Sequence, residues 1–327
     1  MTSLRSALKS ATALAAFSLS FPLASWAEEP LPVVATFSIL GDMVERIGGE
    51  HIALTTLVGP DGDAHVYQPT PKVARSVAEA DVLFLNGLEF EGWLERLAEA
   101  ASFGGAMVVA TKGVVPIAFD DHDDHDDHAD HDDHDDHEKH DDHDDHAGHD
   151  HGAFDPHAWQ SLENAVIYAN NIAAGLAQAD PENAGDYYAN RAAFITEVET
   201  LRADIGAMMK SLPADKRTVV TPHDAFGYFA ATYDLTFVAP QGMSTDSEVS
   251  AADVAALITQ IREESISAVF IESITDNRMM QQIANETGAT IGGTLYSDAL
   301  SAQSGPASTY LDMMRHNATT LFDALGN

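Results

Sequence analysis

Of the 16 histidines, 11 crowd into residues 120–151, and His51, His65, His157, His223 and His316 stand apart from them. Neutral imidazoles and carboxylates are the side chains that bind divalent transition metals. Three imidazoles with one carboxylate make a tetrahedral shell suited to Zn²⁺, with Zn–N bonds of about 2.0–2.1 Å. His65 follows the turn Gly59-Pro60-Asp61-Gly62, in Asp63-Ala64-His65-Val66-Tyr67. His157 lies in Asp155-Pro156-His157-Ala158-Trp159, and His223 in Thr221-Pro222-His223-Asp224-Ala225. Asp298, in Tyr296-Ser297-Asp298-Ala299, is a carboxylate in a similar setting. Scattered across the chain, these four form no local metal motif, and each loop histidine can equally cap a helix. Their shared position beyond strand ends or before helices favours ligation, because ligands of open α/β sheets gather at the carboxyl ends of strands.

The elements that would hold these residues alternate regularly. Strands are predicted at Pro32–Phe37, Ile52–Val58, Asp81–Leu85 and Met107–Ala110. The intervening helices are predicted from Ser38, over Thr70–Glu79 with Pro71 in its first turn, and over Glu91–Ala101. This βαβ order predicts a parallel sheet covered by helices. A helix over Ser161–Leu176 precedes a long one over Pro181–Leu212, capped by Asp180 and stopped by Pro213. A second alternating unit follows, with strands at Arg217–Thr221, Leu235–Ala239, Ala268–Ile271 and Thr290–Gly292. Its helices span Ala225–Thr232, Ser250–Glu264, Asn277–Thr287 and Ser308–Leu325. The expected fold class is α/β: two similar lobes with parallel sheets, joined by a long helix. The predicted bounds are 28–179 for the first lobe, 180–212 for the linking helix and 213–327 for the second lobe.

Composition excludes several functions. The 327 residues carry 52 acids against 16 Lys and Arg, a formal charge of −36, which argues against nucleic-acid or anionic-membrane binding. With no Cys there is no disulfide and no thiol chemistry. Residues 1–27 contain Arg5 and Lys9, an apolar run too short to span a bilayer, and Ser25-Trp26-Ala27 before Glu28. That layout predicts a secretory signal peptide cleaved after Ala27 and an exported, periplasmic protein. The 300 residues beyond it carry −38.

The segment 120–151 holds 11 His, 17 acids and one Lys, a local charge of −16. It repeats His-Asp-Asp, a three-residue period that drifts around a helix and buries no apolar area, so no stable structure is expected of it. Two readings apply: a solubilising insertion, or a set of weak, exchangeable zinc sites on His122, His125, His128, His131, His134, His137, His140, His143, His146, His149 and His151. The second is favoured because Asp alone would serve for solubility.

Several separated motifs then converge. GPDGDAHVYQPTP, DPHAW, TPHDAFGYF, FIESITDNRMMQQIA and GGTLYSDALS with TYLDMMRHN resemble the periplasmic solute-binding proteins of zinc and manganese ABC importers, in the zinc-specific form with a His-rich loop. The resemblance runs from about Pro32 to the C-terminus. It implies two lobes around a rigid helix and a cleft metal held by His65 and His157 from the first lobe and His223 and Asp298 from the second. Manganese-type members carry a carboxylate at the position of His223. A third imidazole there favours the softer Zn²⁺.

The implied function is capture of Zn²⁺ and its delivery to an inner-membrane permease with a separate ATPase subunit, by a monomer that a periplasmic zinc donor could load. A closed four-ligand shell leaves no open position for a catalytic water, which weighs against an enzyme. A zinc buffer or metallochaperone without a permease, and a manganese-binding protein, are the alternatives. Glu272 follows a predicted strand and either bonds a ligand imidazole or is a solvated acid. His51 is expected to be exposed, His316 to pack or face solvent, and Trp159 and Phe226 to pack beside the site.

Overall fold

The computed structural model describes residues 29–118 and 154–326. The predicted signal peptide and the tract 120–151, with its eleven histidines, lie outside the described residues. Strands β1 (Leu31–Phe37), β2 (Ile52–Val58), β3 (Val82–Leu85) and β4 (Ala106–Val109) pair in parallel in the order β2-β1-β3-β4. Helix α1 (Ser38–Gly48) buries Ile39, Leu40, Met43, Val44 and Ile47, and it ends at Gly49, whose φ of 58° suits a residue without Cβ. Helix α2 (Pro71–Ala78) starts with Pro71 behind a Thr70 cap whose hydroxyl accepts from Val73 N.

Helix α3 (Leu94–Ala101) begins three residues later than its periodicity predicts. The cause is Glu91, a buried carboxylate that accepts from Thr36 Oγ1 (2.6 Å) and from the backbone N of Asn86 (2.7 Å) and Gly87 (3.3 Å). Leu88 and Glu89 take φ of 54° and 62° to bring it there, which is incompatible with a helix. Burial pushes the Glu91 carboxyl above its usual pKa, against the pull of those hydrogen bonds.

After α4 (Leu162–Ala179), the long helix α5 (Ala184–Lys210) is 27 residues, about 40 Å at 1.5 Å each. Its first predicted turn, Pro181–Asn183, is a 3₁₀ turn instead. There the Asp180 carboxylate accepts from Asn183 Nδ2 (2.8 Å) and Tyr187 Oη (2.6 Å). Buried Tyr187, Phe194, Val198, Leu201, Ile205 and Met209 form one stripe along α5.

The second sheet repeats the first one's topology. Strands β5 (Thr218–Val220), β6 (Thr236–Val238), β7 (Ala268–Glu272) and β8 (Thr290–Leu295) run parallel in the order β6-β5-β7-β8. Helices α6 (Gly227–Tyr233), α7 (Ala251–Glu263) and α8 (Arg278–Thr287) alternate with them. The last helix, α9 (Tyr310–Leu325), packs on β8, α5 and α1. One core runs from the first sheet across α5 and α9 to one face of the second sheet. A separate cluster of Val220, Val269, Leu257, Ile258, Ile261, Met280 and Ile283 lies under α7 and α8.

The chain between β8 and α9 returns to the first lobe. Leu300 N donates to Ser38 Oγ (3.0 Å), Asp61 N to Leu300 O (2.8 Å) and Tyr310 N to Asp42 Oδ2 (2.9 Å). Both α5 and this returning strap thereby tie the two lobes.

Candidate metal centre

In both sheets the strand order turns back at the central pair, β1 with β3 and β5 with β7, which leaves a crevice at the strands' carboxyl ends. His65 lies beyond β2, His223 beyond β5 and Asp298 beyond β8, and His157 lies shortly before α4. One ligand atom from each of these four residues lies within 4.8 Å of all the others. His157, His223 and Asp298 have no solvent exposure, and the side chain of His65 is 5% exposed.

Asp298 is the hub. Its Oδ2 is 3.1 Å from His65 Nε2 and 3.2 Å from His223 Nε2, and its Oδ1 is 3.6 Å from His157 Nε2. A tetrahedral ion with bonds of about 2.0–2.1 Å separates its ligand atoms by about 3.3–3.4 Å, and the three contacts of Asp298 lie near that spacing. Among the described residues, His157 Nε2 and Asp298 Oδ1 are buried without a hydrogen-bond partner, an expensive state for polar atoms that a cation between them would relieve.

Two of the rings, those of His157 and His223, are oriented from behind by an acid. Asp155 Oδ1 accepts from His157 N (2.9 Å) and is 2.8 Å from His157 Nδ1, which leaves Nε2 facing the centre. His65 is held by the same device at its backbone, since His65 N donates to Asp63 Oδ1 (2.9 Å). The other oxygen of Asp63 accepts from Thr245 Oγ1 (2.6 Å), across the cleft. Behind His223 stands Glu272, the last residue of β7. Its Oε1 accepts from His223 N (3.2 Å), its Oε2 accepts from Ser297 Oγ (2.6 Å), and Oε2 makes a 2.6 Å ion-pair contact with His223 Nδ1. Glu272 is fully buried, not a solvated acid.

Electrostatics follow from this packing. Burial alone would lower the pKa of both His157 and His223. The charges of Asp298 and Asp155 nevertheless hold His157 above the ordinary imidazole value, and Glu272 and Asp298 hold His223 well above it. Burial would raise Asp298, but His223 and His157 keep it well below the usual carboxylate range.

Aromatic rings close the site. Phe90 meets His65 edge-on at 4.9 Å between centroids, and Trp159 meets His157 at 5.3 Å. Trp159 Nε1 and Gln160 Nε2 both donate to Ser297 O (2.8 Å each), so the residue before Asp298 is fixed by the first lobe. Phe226 is buried and stacks on Phe237 (4.9 Å, 14°). The remaining histidines stand elsewhere. His51 is half-buried rather than exposed, 2.9 Å from Asp186 Oδ2, and His316 Nε2 lies 3.0 Å from Thr294 O. Asp63 and Asp155 were not singled out by sequence. The signal for them is the Asp-x-His spacing that precedes both first-lobe histidines.

The chain matches the profile of the family described as "Zinc-uptake complex component A periplasmic" over residues 33–324. It is 30% identical over 298 residues to the "Manganese-binding lipoprotein MntA" of Halalkalibacterium halodurans, covering 91% of this chain and 89% of that one. It is 30% identical to the "Iron-binding protein YfeA" of Yersinia pestis, covering 90% of this chain and 86% of that one. Among solved structures, the periplasmic zinc binding protein TroA from Treponema pallidum superposes with a TM-score of 0.78 at 26% identity, covering 91% of this chain and 99% of that one.

Proposed function

Because this chain belongs to the family of periplasmic zinc-uptake component A proteins, the solute-binding proteins of metal ABC importers, we propose that it captures Zn²⁺ in its interlobe cleft and delivers it to the importer's permease. It is a transport component rather than an enzyme. The observation that carries the reading is the convergence of His65, His157, His223 and Asp298, whose ligand atoms lie within 4.8 Å of one another in a buried place. In this reading the metal is cargo. His65, His157 and His223 supply Nε2 donors, Asp298 supplies the charge, and Asp155 and Glu272 set the imidazole tautomers by holding Nδ1.

The preference for zinc rests on the ligand types. Three imidazoles with a single carboxylate suit Zn²⁺, whereas Mn²⁺ favours more oxygen donors. The relatives named for manganese and iron favour a second reading, a manganese or iron carrier. The tract 120–151 serves in this account as an accessory collector of weakly held zinc, and the working form is a monomer acting outside the cytoplasm. Delivery implies docking on a permease powered by a separate ATPase, and a periplasmic donor could load the cleft.

The test is equilibrium dialysis of the chain lacking residues 120–151 against zinc and manganese together. We expect one tightly held zinc per chain and little manganese, and His223→Ala in that background to weaken binding severely. Manganese retained in preference to zinc would establish the second reading, and loss of all tight binding on removing the tract would overturn the cleft assignment.

A further inference from the structure

Tyr228 lies in the first turn of α6, five residues beyond His223, yet its hydroxyl reaches the segment that carries His157. It donates to Asp155 O (2.9 Å) and accepts from Ile117 N (3.2 Å). Asp155 N in turn donates to Ile117 O (2.9 Å), and the adjoining Ala118 and Phe154 form an antiparallel bridge. A single buried hydroxyl therefore joins three pieces of chain: the segment ending at Ala118, the segment beginning at Phe154, and the helix that follows His223. The side chain of Asp155 is seated by the same helix, because a Cβ added at Gly227 would stand 2.5 Å from Asp155 Oδ2. That carboxylate is the group that fixes the ring of His157.

Resting on the metal-capture reading, we propose that Tyr228 is a positioning residue for the bound metal, acting through Asp155 to hold His157 in register with His223. The hydroxyl touches no ligand atom. Its effect is preorganisation: it restricts the Asp155 backbone so that the imidazole meets the ion without searching for its orientation. Losing the hydroxyl leaves every ligand in place and lets the His157 arm relax, so the change belongs in the rate of metal release.

The experiment measures zinc release into a chelator from the full chain and from Tyr228→Phe, with Asp155→Asn and the double variant completing a cycle. Tyr233→Phe is the control, since that hydroxyl sits on the same helix, is buried and has no hydrogen-bond partner. Loss of one buried hydrogen bond predicts release about three- to tenfold faster in Tyr228→Phe, with the zinc stoichiometry unchanged. If Tyr228 acts through Asp155, Tyr228→Phe adds little in the Asp155→Asn background. An unchanged release rate, an equal effect from Tyr233→Phe, or strictly additive effects of the two substitutions would each overturn the inference. Should the unsubstituted chain hold no metal, the metal-capture reading fails and this inference with it. Should it hold zinc while Tyr228→Phe behaves normally, the inference alone falls.

Discussion

Each buried imidazole of the cleft is backed by an acid, and those acids give the site its sensitivity to protons. Glu272 has no exposure and three partners from two loops, so replacing it leaves the His223 ring poorly held. Glu272→Gln is expected to lower zinc affinity about 10–100-fold without changing the number of ions bound, as read by chelator competition. The pKa shifts give the sign of the pH effect. His157 and His223 are raised, so in the metal-free protein their protonated forms stabilise the fold fully below the unfolded-state imidazole value of about 6.5, and that contribution is lost as pH rises through the folded values. Zinc competes with those protons. Affinity should therefore climb with pH beyond about 6.5, and binding near neutrality should release protons, seen as a dependence of calorimetric heat on buffer ionisation. Asp298, held well below its usual value, stays charged throughout this range.

Among the elements, the segment between β6 and α7 reaches across the cleft where Thr245 Oγ1 donates to Asp63 Oδ2, at 2.6 Å, and Asp63 is also the residue that secures the His65 backbone. Thr245→Val should speed zinc release about two- to tenfold in stopped-flow chelation, with the ligand set intact. An unchanged rate would mean that the contact does not bear on release. Most elements were legible because their signals are local: the apolar stripe and closing glycines of α1, the Thr70-Pro71 start of α2, the alternation of both sheets. The start of α3 was not. Its amphipathic pattern extends back to Glu91, but Glu91 is drawn into contacts with Thr36 and Asn86 that no local pattern announces. The 3₁₀ turn before α5 was hidden in the same way, since Asp180 and Pro181 read as a helix start until Tyr187 Oη takes the carboxylate.

At the scale of the whole molecule, the four residues of the cleft could be picked out because a duplicated α/β topology puts strand ends at one crevice. The Asp-x-His spacing hinted at the acids behind two of them. What sequence could not reveal is the allegiance of Asp298. It follows the last strand of the second sheet, yet its neighbours Ser297 and Leu300 bond to Trp159, Gln160 and Ser38 of the first lobe. Asp298 thus draws support from both lobes, since Ser297 Oγ also donates to Glu272 of the second sheet. The most direct measurement is anomalous diffraction at the zinc edge from crystals of the chain loaded with one equivalent of zinc. The account predicts a single strong peak about 2.0–2.1 Å from Nε2 of His65, His157 and His223, with an Asp298 oxygen completing the shell. A chain that retains its equivalent of zinc while the peak lies away from these four residues would contradict it.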